Sequence, residues 1–247
     1  LPSRAATNTA RSLRVIRQIV NAARKYKRIV QTGTQSRSNP GLQEAVAWIR
    51  AGNLGDIQLV RGLCYKPRQS IGKVEGPTPI PSTINYDLWC GPSPMMPLMR
   101  QKLHYDWHWV FSTGNGDLGN QGIHQMDIAR WGLNEMNIGE SVLSYGGRFG
   151  YVDAGETANT QVCIHEYKNG KRLVFEVRGL KTEPLLGANV GNIFYGDKGY
   201  NYRVDSETGS GTFNKSTTFT ADRAGVFNLT AGVNTLAIYQ SWGYYDV

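Results

Sequence analysis

The densest group of side chains able to handle protons is the run Gly114-Asn115-Gly116-Asp117-Leu118-Gly119-Asn120-Gln121-Gly122-Ile123-His124-Gln125-Met126-Asp127. A helix over 117–133 places Asn120 and His124 at i and i+4, on one face, with Trp131 near the same stripe. Asp127 follows three positions after His124, close enough to orient the imidazole. A histidine with an amide and a carboxylate as neighbours can transfer a proton near neutral pH. The same spacing suits a histidine that only ties core hydrogen bonds together, and both readings stand at this level. Metal binding by Asn, His and Asp has little support, because no second histidine stands at ligand spacing.

A second group is aromatic. Tyr86-Asp87-Leu88-Trp89 and His104-Tyr105-Asp106-Trp107-His108-Trp109 combine flat faces with hydroxyl-bonding groups. Such a set can line a sugar or polyol pocket, or it can simply pin a long connection to the fold. Nucleophilic catalysis has no G-x-S-x-G elbow and no cysteine next to a histidine. Gly114 to Gly119 matches G-x-G-x-x-G as letters, yet no strand leads into it, so it does not read as a phosphate loop.

The elements that must carry these groups follow from periodicity. Leu13 to Tyr26 has a helical apolar stripe (Val15, Ile16, Ile19, Val20, Ala23), and Ile29 to Gly33 is a short β-rich run. Asn39-Pro40 starts a helix with Leu42, Ala45, Val46 and Ile49 on its apolar face, and Gly52 ends it. Ile57 to Tyr65 reads as a strand. Residues 66–103 form a long connection with seven prolines. Strands are expected at 141–149, 157–167, 171–179, 189–195 and 199–204. Hairpin turns are expected at Lys168-Asn169-Gly170-Lys171 and Gly196-Asp197-Lys198-Gly199. The fold class implied is α+β, an open and mostly antiparallel sheet with helices on one face, preceded by a helix–strand–helix piece of an α/β unit.

Composition narrows the class. The 247 residues are 40% hydrophobic and carry a net charge of +8. That charge is local: residues 1–43 hold nine basic side chains and no acidic one. Such a stretch can be a nucleic-acid arm or a transit peptide, but no reading motif accompanies it, and a solvated helix face is the simpler account. No apolar run is long enough for a transmembrane helix. Cys64, Cys90 and Cys163 have neither disulfide nor metal spacing, which fits a reducing compartment. The sequons at Asn214 and Asn228 read as chance matches.

Several motifs together resemble a known family. The run from Gly114 to Trp131, the segment Tyr86-Asp-Leu-Trp-Cys-Gly-Pro-Ser-Pro94, the junction Gly52-Asn-Leu-Gly-Asp-Ile57 and Ser144-Tyr-Gly-Gly-Arg-Phe-Gly150 are similar to the Gfo/Idh/MocA oxidoreductases. The likeness covers about residues 13–204. It implies a Rossmann domain for NAD or NADP, a following α/β domain with an open sheet, and oxidation or reduction of a sugar, inositol or related polyol. Hydride passes to or from nicotinamide while a Lys–Asp–His set handles the proton. His124 matches the family histidine, and the family aspartate four residues earlier is Asn120 here. An amide cannot shuttle a proton, so that position serves orientation or substrate bonding.

The resemblance also makes Tyr86, His104, Asp127 and Trp107 substrate-side residues and puts Thr32, Gln35 and Arg37 beside the nicotinamide. The family's E-K-P lysine and glycine-rich loop have no counterpart in this chain. Residues 1–52 are thus expected to be a remnant of the cofactor domain, and 53–247 the substrate and oligomerisation domain, with both ends lost or altered. NAD binding by this chain is expected to be weak or none. The expected partners are a sugar or polyol and a second copy through the open sheet face, with no nucleic acid and no membrane. The expected compartment is the cytoplasm, or the periplasm if an export signal has been lost. The alternative is a non-catalytic carbohydrate-binding or oligomerisation domain.

Overall fold

The computed structural model describes residues 17–137 and 139–198, and the backbone of four later strands. The chain divides into two units, Leu1–Thr34 and Gln35–Val247. In the first, residues 17–25 form helix α1, as the apolar stripe predicts. The run Ile29 to Gly33 is not a strand: β-branched residues favour extended backbone, but a strand exists only with a ladder partner, and none is described for it. Ile29 is fully exposed.

The second unit opens with a single 3-10 turn, Gln35–Ser38, and helix α2, Pro40–Arg50. The Asn39 side chain accepts from the Leu42 N–H at 3.0 Å, and Pro40 occupies the first turn, where no N–H donor is needed. Leu42, Ala45, Val46 and Ile49 are the buried face, as expected. Helix α2, assigned from sequence to the cofactor remnant, packs in the core of this unit, which begins at Gln35.

Strand β1 (Ile57–Cys64) leads into the Pro-rich connection, which holds one short helix, α3 (Tyr86–Cys90), and a 3-10 turn at Tyr105–Trp109. The helix expected over 117–133 is two: α4 (Asp117–Asn120) and α5 (Gly122–Leu133), separated at Gln121. Strands β2 (Ser141–Gly147), β3 (Thr160–Glu166), β4 (Arg172–Arg178), β5 (Val190–Gly196) and β6 (Asn201–Asp205) follow close to their expected positions. Three short strands unforeseen in the Ser/Thr-rich tail, β7 (Ser210–Phe213), β8 (Thr217–Thr220) and β9 (Thr235–Ile238), extend the sheet. The sequons and the stretch from Trp242 lie outside the described residues.

The sheet order is β2-β3-β4-β1-β5-β6-β9-β7-β8. Only β1–β4 and β6–β9 are parallel among the described pairings, so the sheet is mostly antiparallel and the fold is α+β. Helix α5 lies over β1, β4 and β5, with α2 against it. Val60, Leu173, Phe175, Val177 and Phe194 from the strands meet Leu42, Ala45, Ile49, Ile128 and Leu133 from the helices. Two helix glycines allow the close approach: a Cβ at Gly122 would lie 2.6 Å from Phe175, and one at Gly132 would lie 2.2 Å from Phe194.

The opposite sheet face is more open. Register places Leu143 beside Ile164 and Tyr145 beside Val162, and Leu143 and Tyr145 are 67% and 84% exposed. Further in, Tyr65 donates to Glu176 at 2.6 Å, and Arg178 grips the other carboxylate oxygen. Among the described residues no helix is long and apolar enough to cross a membrane.

Candidate functional site

His124 stands in the first turn of α5. The link at Gln121 keeps right-handed helical angles (φ −103°, ψ −38°), so Asn120 and His124 remain about one turn apart. Burial pushes the His124 imidazole below its ordinary pKa, with the Asp127 charge opposing and the Lys66 charge reinforcing the shift. The ring is therefore neutral at pH 7 and able to accept a proton.

Asp127 is held by an arginine. Arg37 holds both its oxygens, Nε to Oδ2 at 2.8 Å and Nη2 to Oδ1 at 2.9 Å. The Arg37 guanidinium also lies over the Trp131 ring, 5.1 Å from its centroid. The Asp127 charge also acts on His124, opposing the effect of burial on its pKa. Arg37, expected beside a nicotinamide, is committed to that pair.

A second arrangement was not foreseen. Asp117 is fully buried, and Arg68 donates to it through Nε and Nη2, both at 2.8 Å. The Asn120 amide donates to the same carboxylate at 3.1 Å. Arg68 Nη1 reaches the Tyr105 hydroxyl at 3.0 Å, and His108 Nε2 lies 4.0 Å from Asp117. Burial alone would lower the Arg68 pKa, but the Asp117 hydrogen bond and charge outweigh it and raise it. Burial lowers the His108 pKa despite Asp117, so that ring is neutral as well. Asp117 lay inside the run singled out from sequence, where an acidic residue at a helix start reads as a simple cap. Arg68 is 49 residues away in the Pro-rich connection, and no spacing rule links the two.

The aromatic residues separate. Tyr86 donates to the Met96 carbonyl at 2.7 Å and stacks on Trp89, so it serves its own loop. In the 3-10 turn, His108 and Trp109 are buried, whereas His104, Tyr105 and Trp107 face solvent. Trp107 meets His108 edge-on at 5.4 Å. Thr32 lies in the first unit and Gln35 in the short turn before α2. Among the described residues no group of His, Cys, Asp and Glu could hold a metal ion.

Residues 28–34 run as extended or bent backbone outside any strand, and Arg37 is paired with Asp127.

Comparison with known proteins follows the fold. None of the curated proteins compared matches the chain. Among solved structures, an inositol dehydrogenase homolog from Azotobacter vinelandii complexed with NAD+ superposes with a TM-score of 0.51 and 16% identity, covering 73% of this chain and 40% of that one. GenD2 from gentamicin A biosynthesis, in complex with NAD, gives 0.50 and 16%, with 81% and 47% covered. The WlbA dehydrogenase from Chromobacterium violaceum, in complex with NADH and UDP-GlcNAcA, gives 0.48 and 20%, with 72% and 41% covered. At these identities the likeness is one of fold, and the chain spans less than half the length of each. The family description "Oxidoreductase family, C-terminal alpha/beta domain" matches residues 56–199. More than half of the sequence carries that match, and the chain belongs to the Gfo/Idh/MocA oxidoreductase family.

Proposed function

We propose that this chain is the substrate-side part of an NAD(P)-dependent oxidoreductase acting on a sugar, inositol or related polyol. Residues 53–247 would form the substrate domain and residues 1–52 the edge of the cofactor domain. The observation that carries the reading is His124: a half-buried, neutral imidazole one helical turn from Asn120, beside the charged Asp127. A neutral imidazole can take the proton of a carbinol hydroxyl, and Asn120 can hold that hydroxyl in place. His104, just before the 3-10 turn, and Trp107 within it are exposed, and we assign them to an incoming polyol. The buried cysteines Cys64, Cys90 and Cys163, with neither disulfide nor metal spacing, support a reducing, cytoplasmic compartment.

The chain itself is proposed to bind NAD(H) weakly or not at all, since no strand–glycine loop–helix unit is found among the described residues. Saturation-transfer NMR on the full chain should detect myo-inositol or glucose, with the signal lost in His124→Ala. Calorimetry should find no NAD(H) affinity in the micromolar range. Polyol signals that survive His124→Ala would sink the assignment of the site, and micromolar NAD(H) binding would sink the cofactor reading.

The exposed Leu143 and Tyr145 on the open sheet face favour a second property, pairing with another copy of the chain. Light scattering showing a clean monomer would count against it.

A further inference from the structure

His108 and Asp117 face each other inside the fold as two acceptors with no proton between them. The His108 side chain is 1% exposed, and its Nδ1 lies 2.8 Å from the Tyr105 carbonyl oxygen. A carbonyl only accepts, so Nδ1 carries the hydrogen and Nε2 of the neutral ring offers a lone pair. That Nε2 is buried and has no hydrogen-bond partner among the described residues. It lies 4.0 Å from Oδ1 of the fully buried Asp117. One added proton would join the two as a charge-assisted pair.

His108 is the fixed side of this pair. Its carbonyl accepts from the Gly116 N–H at 2.7 Å and from the Thr157 hydroxyl at 3.2 Å. A Cβ at Gly114 would lie 2.4 Å from the His108 Cα, and the Trp109 ring centroid is 4.4 Å from the imidazole. Adjustment therefore falls to the bonds that Asp117 makes. Its Oδ1 already takes Arg68 Nη2 at 2.8 Å and Asn120 Nδ2 at 3.1 Å. A carboxylate oxygen has two lone-pair sites, so a third donor must displace one of these. Arg68 is charged and also holds Oδ2 through Nε at 2.8 Å, whereas Asn120 is neutral and more distant. Charge-assisted hydrogen bonds are roughly twice as strong as neutral ones, so Asn120 yields.

We propose that His108 and Asp117 form a proton-operated latch: a proton taken up at His108 Nε2 claims Asp117 Oδ1 and releases the Asn120 side chain, about one helical turn ahead of His124. Four influences bear directly on the ring. Burial and Arg68 from the Pro-rich connection oppose protonation, while Asp117 from α4 and Asp106 from the same 3-10 turn favour it. The connection between β2 and β3 adds Arg148, which lies over the Trp109 ring and grips Asp153, and Glu156, which accepts from the Phe111 N–H. Burial prevails, so the latch is closed at neutral pH and opens only on the acid side of 6.5. It couples pH to the site edge whether or not that site takes a polyol.

The test is a titration of the full chain from neutral to acid pH, followed by heteronuclear NMR. At neutral pH the His108 nitrogen shifts should place the hydrogen on Nδ1. Through the His108 midpoint the Asn120 side-chain amide should lose about tenfold in exchange protection, the weight of one neutral hydrogen bond, while the Arg68 Nε–H stays protected. His124 gains its proton in the same direction, so the series is repeated in His124→Gln, where the Asn120 change should persist. In His108→Asn, whose amide can still donate to the Tyr105 carbonyl but which lacks Nε2, the change should vanish. The unsubstituted chain and His124→Gln decide the matter if thermal melts show His108→Asn to be unfolded. A hydrogen on Nε2 at neutral pH, an Asn120 amide that does not respond, or a response that disappears with His124 overturns the latch. So does a response that survives in folded His108→Asn.

Discussion

Arg37 and Asp127, 90 residues apart, meet in two parallel hydrogen bonds of 2.8 and 2.9 Å, and the charge of Asp127 is felt by His124. Burial lowers the His124 pKa, the Asp127 charge raises it, and the Lys66 charge lowers it. Asp127→Asn should therefore lower the His124 pKa further, while Arg37→Ala, which uncovers the carboxylate, should raise it. Imidazole titration by heteronuclear NMR reads both shifts. Movement in the same direction for the two variants would rule out the charge coupling of Asp127 to His124.

Stability should respond to acid in two separate windows. His124 and His108 both have pKa values depressed below 6.5 by burial. Unfolding restores their affinity for protons, so their contribution is complete above pH 6.5 and is lost as pH falls toward the folded values. Asp153 is depressed from 3.8: burial would raise it, but Arg148, the Ile71 and Gly155 N–H groups and Ser70 overcome that. Its contribution is present above pH 3.8 and disappears only in stronger acid. Thermal melts from pH 8 to 3 should show the first decline beginning near 6.5, and His124→Gln should make that decline shallower. A melting temperature flat between pH 7 and 5 would refute the histidine part.

Gly132→Ala should destabilise the chain by about 1–3 kcal/mol, the usual cost of overpacking a core. The new methyl would sit 2.2 Å from the Phe194 ring, where neighbouring atoms cannot coexist. Adding Phe194→Leu should recover part of the loss. Urea unfolding of the single and double variants measures both, and additive losses would show that the two positions do not touch.

Leu143→Asp tests the open face. If that face pairs two copies, a charge on the exposed edge should shift the population toward monomer without lowering the unfolding midpoint of the monomer itself. Light scattering across a concentration series gives the answer, and an unchanged size distribution removes this face from the assembly.

Most of the fold was legible because its signals are local. Asn39-Pro40 announces α2 within two residues, and Lys168-Asn169-Gly170-Lys171 announces the β3–β4 turn. Alternation placed β1 to β6, but in the Ser/Thr-rich tail the apolar rhythm is too weak to reveal β7 to β9. The break at Gln121 escaped because glutamine is a good helix former, and the sequence does not show that Gly122 must meet Phe175. Ile29 to Gly33 misled in the opposite direction, since propensity without a partner makes no strand.

The site divides along the same line. Asn120 ends α4 and His124 stands in the first turn of α5, and their four-residue spacing is readable from the sequence alone. Arg68 and Asp117 come from separate segments, and only the packed fold brings them together. Arg37 was singled out without Asp127, because a sequence names a guanidinium but not the carboxylate it will find.

The central place of β1 has a temporal consequence. Its parallel neighbour β4 is far along the chain, and the cross-sheet bond from Tyr65 to Glu176 spans 111 residues. On a ribosome, β1 and the start of the Pro-rich connection emerge long before the strand that fixes them. Until β4 arrives, Arg68 has no Gly179 carbonyl for its backbone N–H to bond. The edge that carries Arg68 therefore waits for β4 to assemble, and the nascent chain must keep a half-made sheet from pairing elsewhere in the meantime.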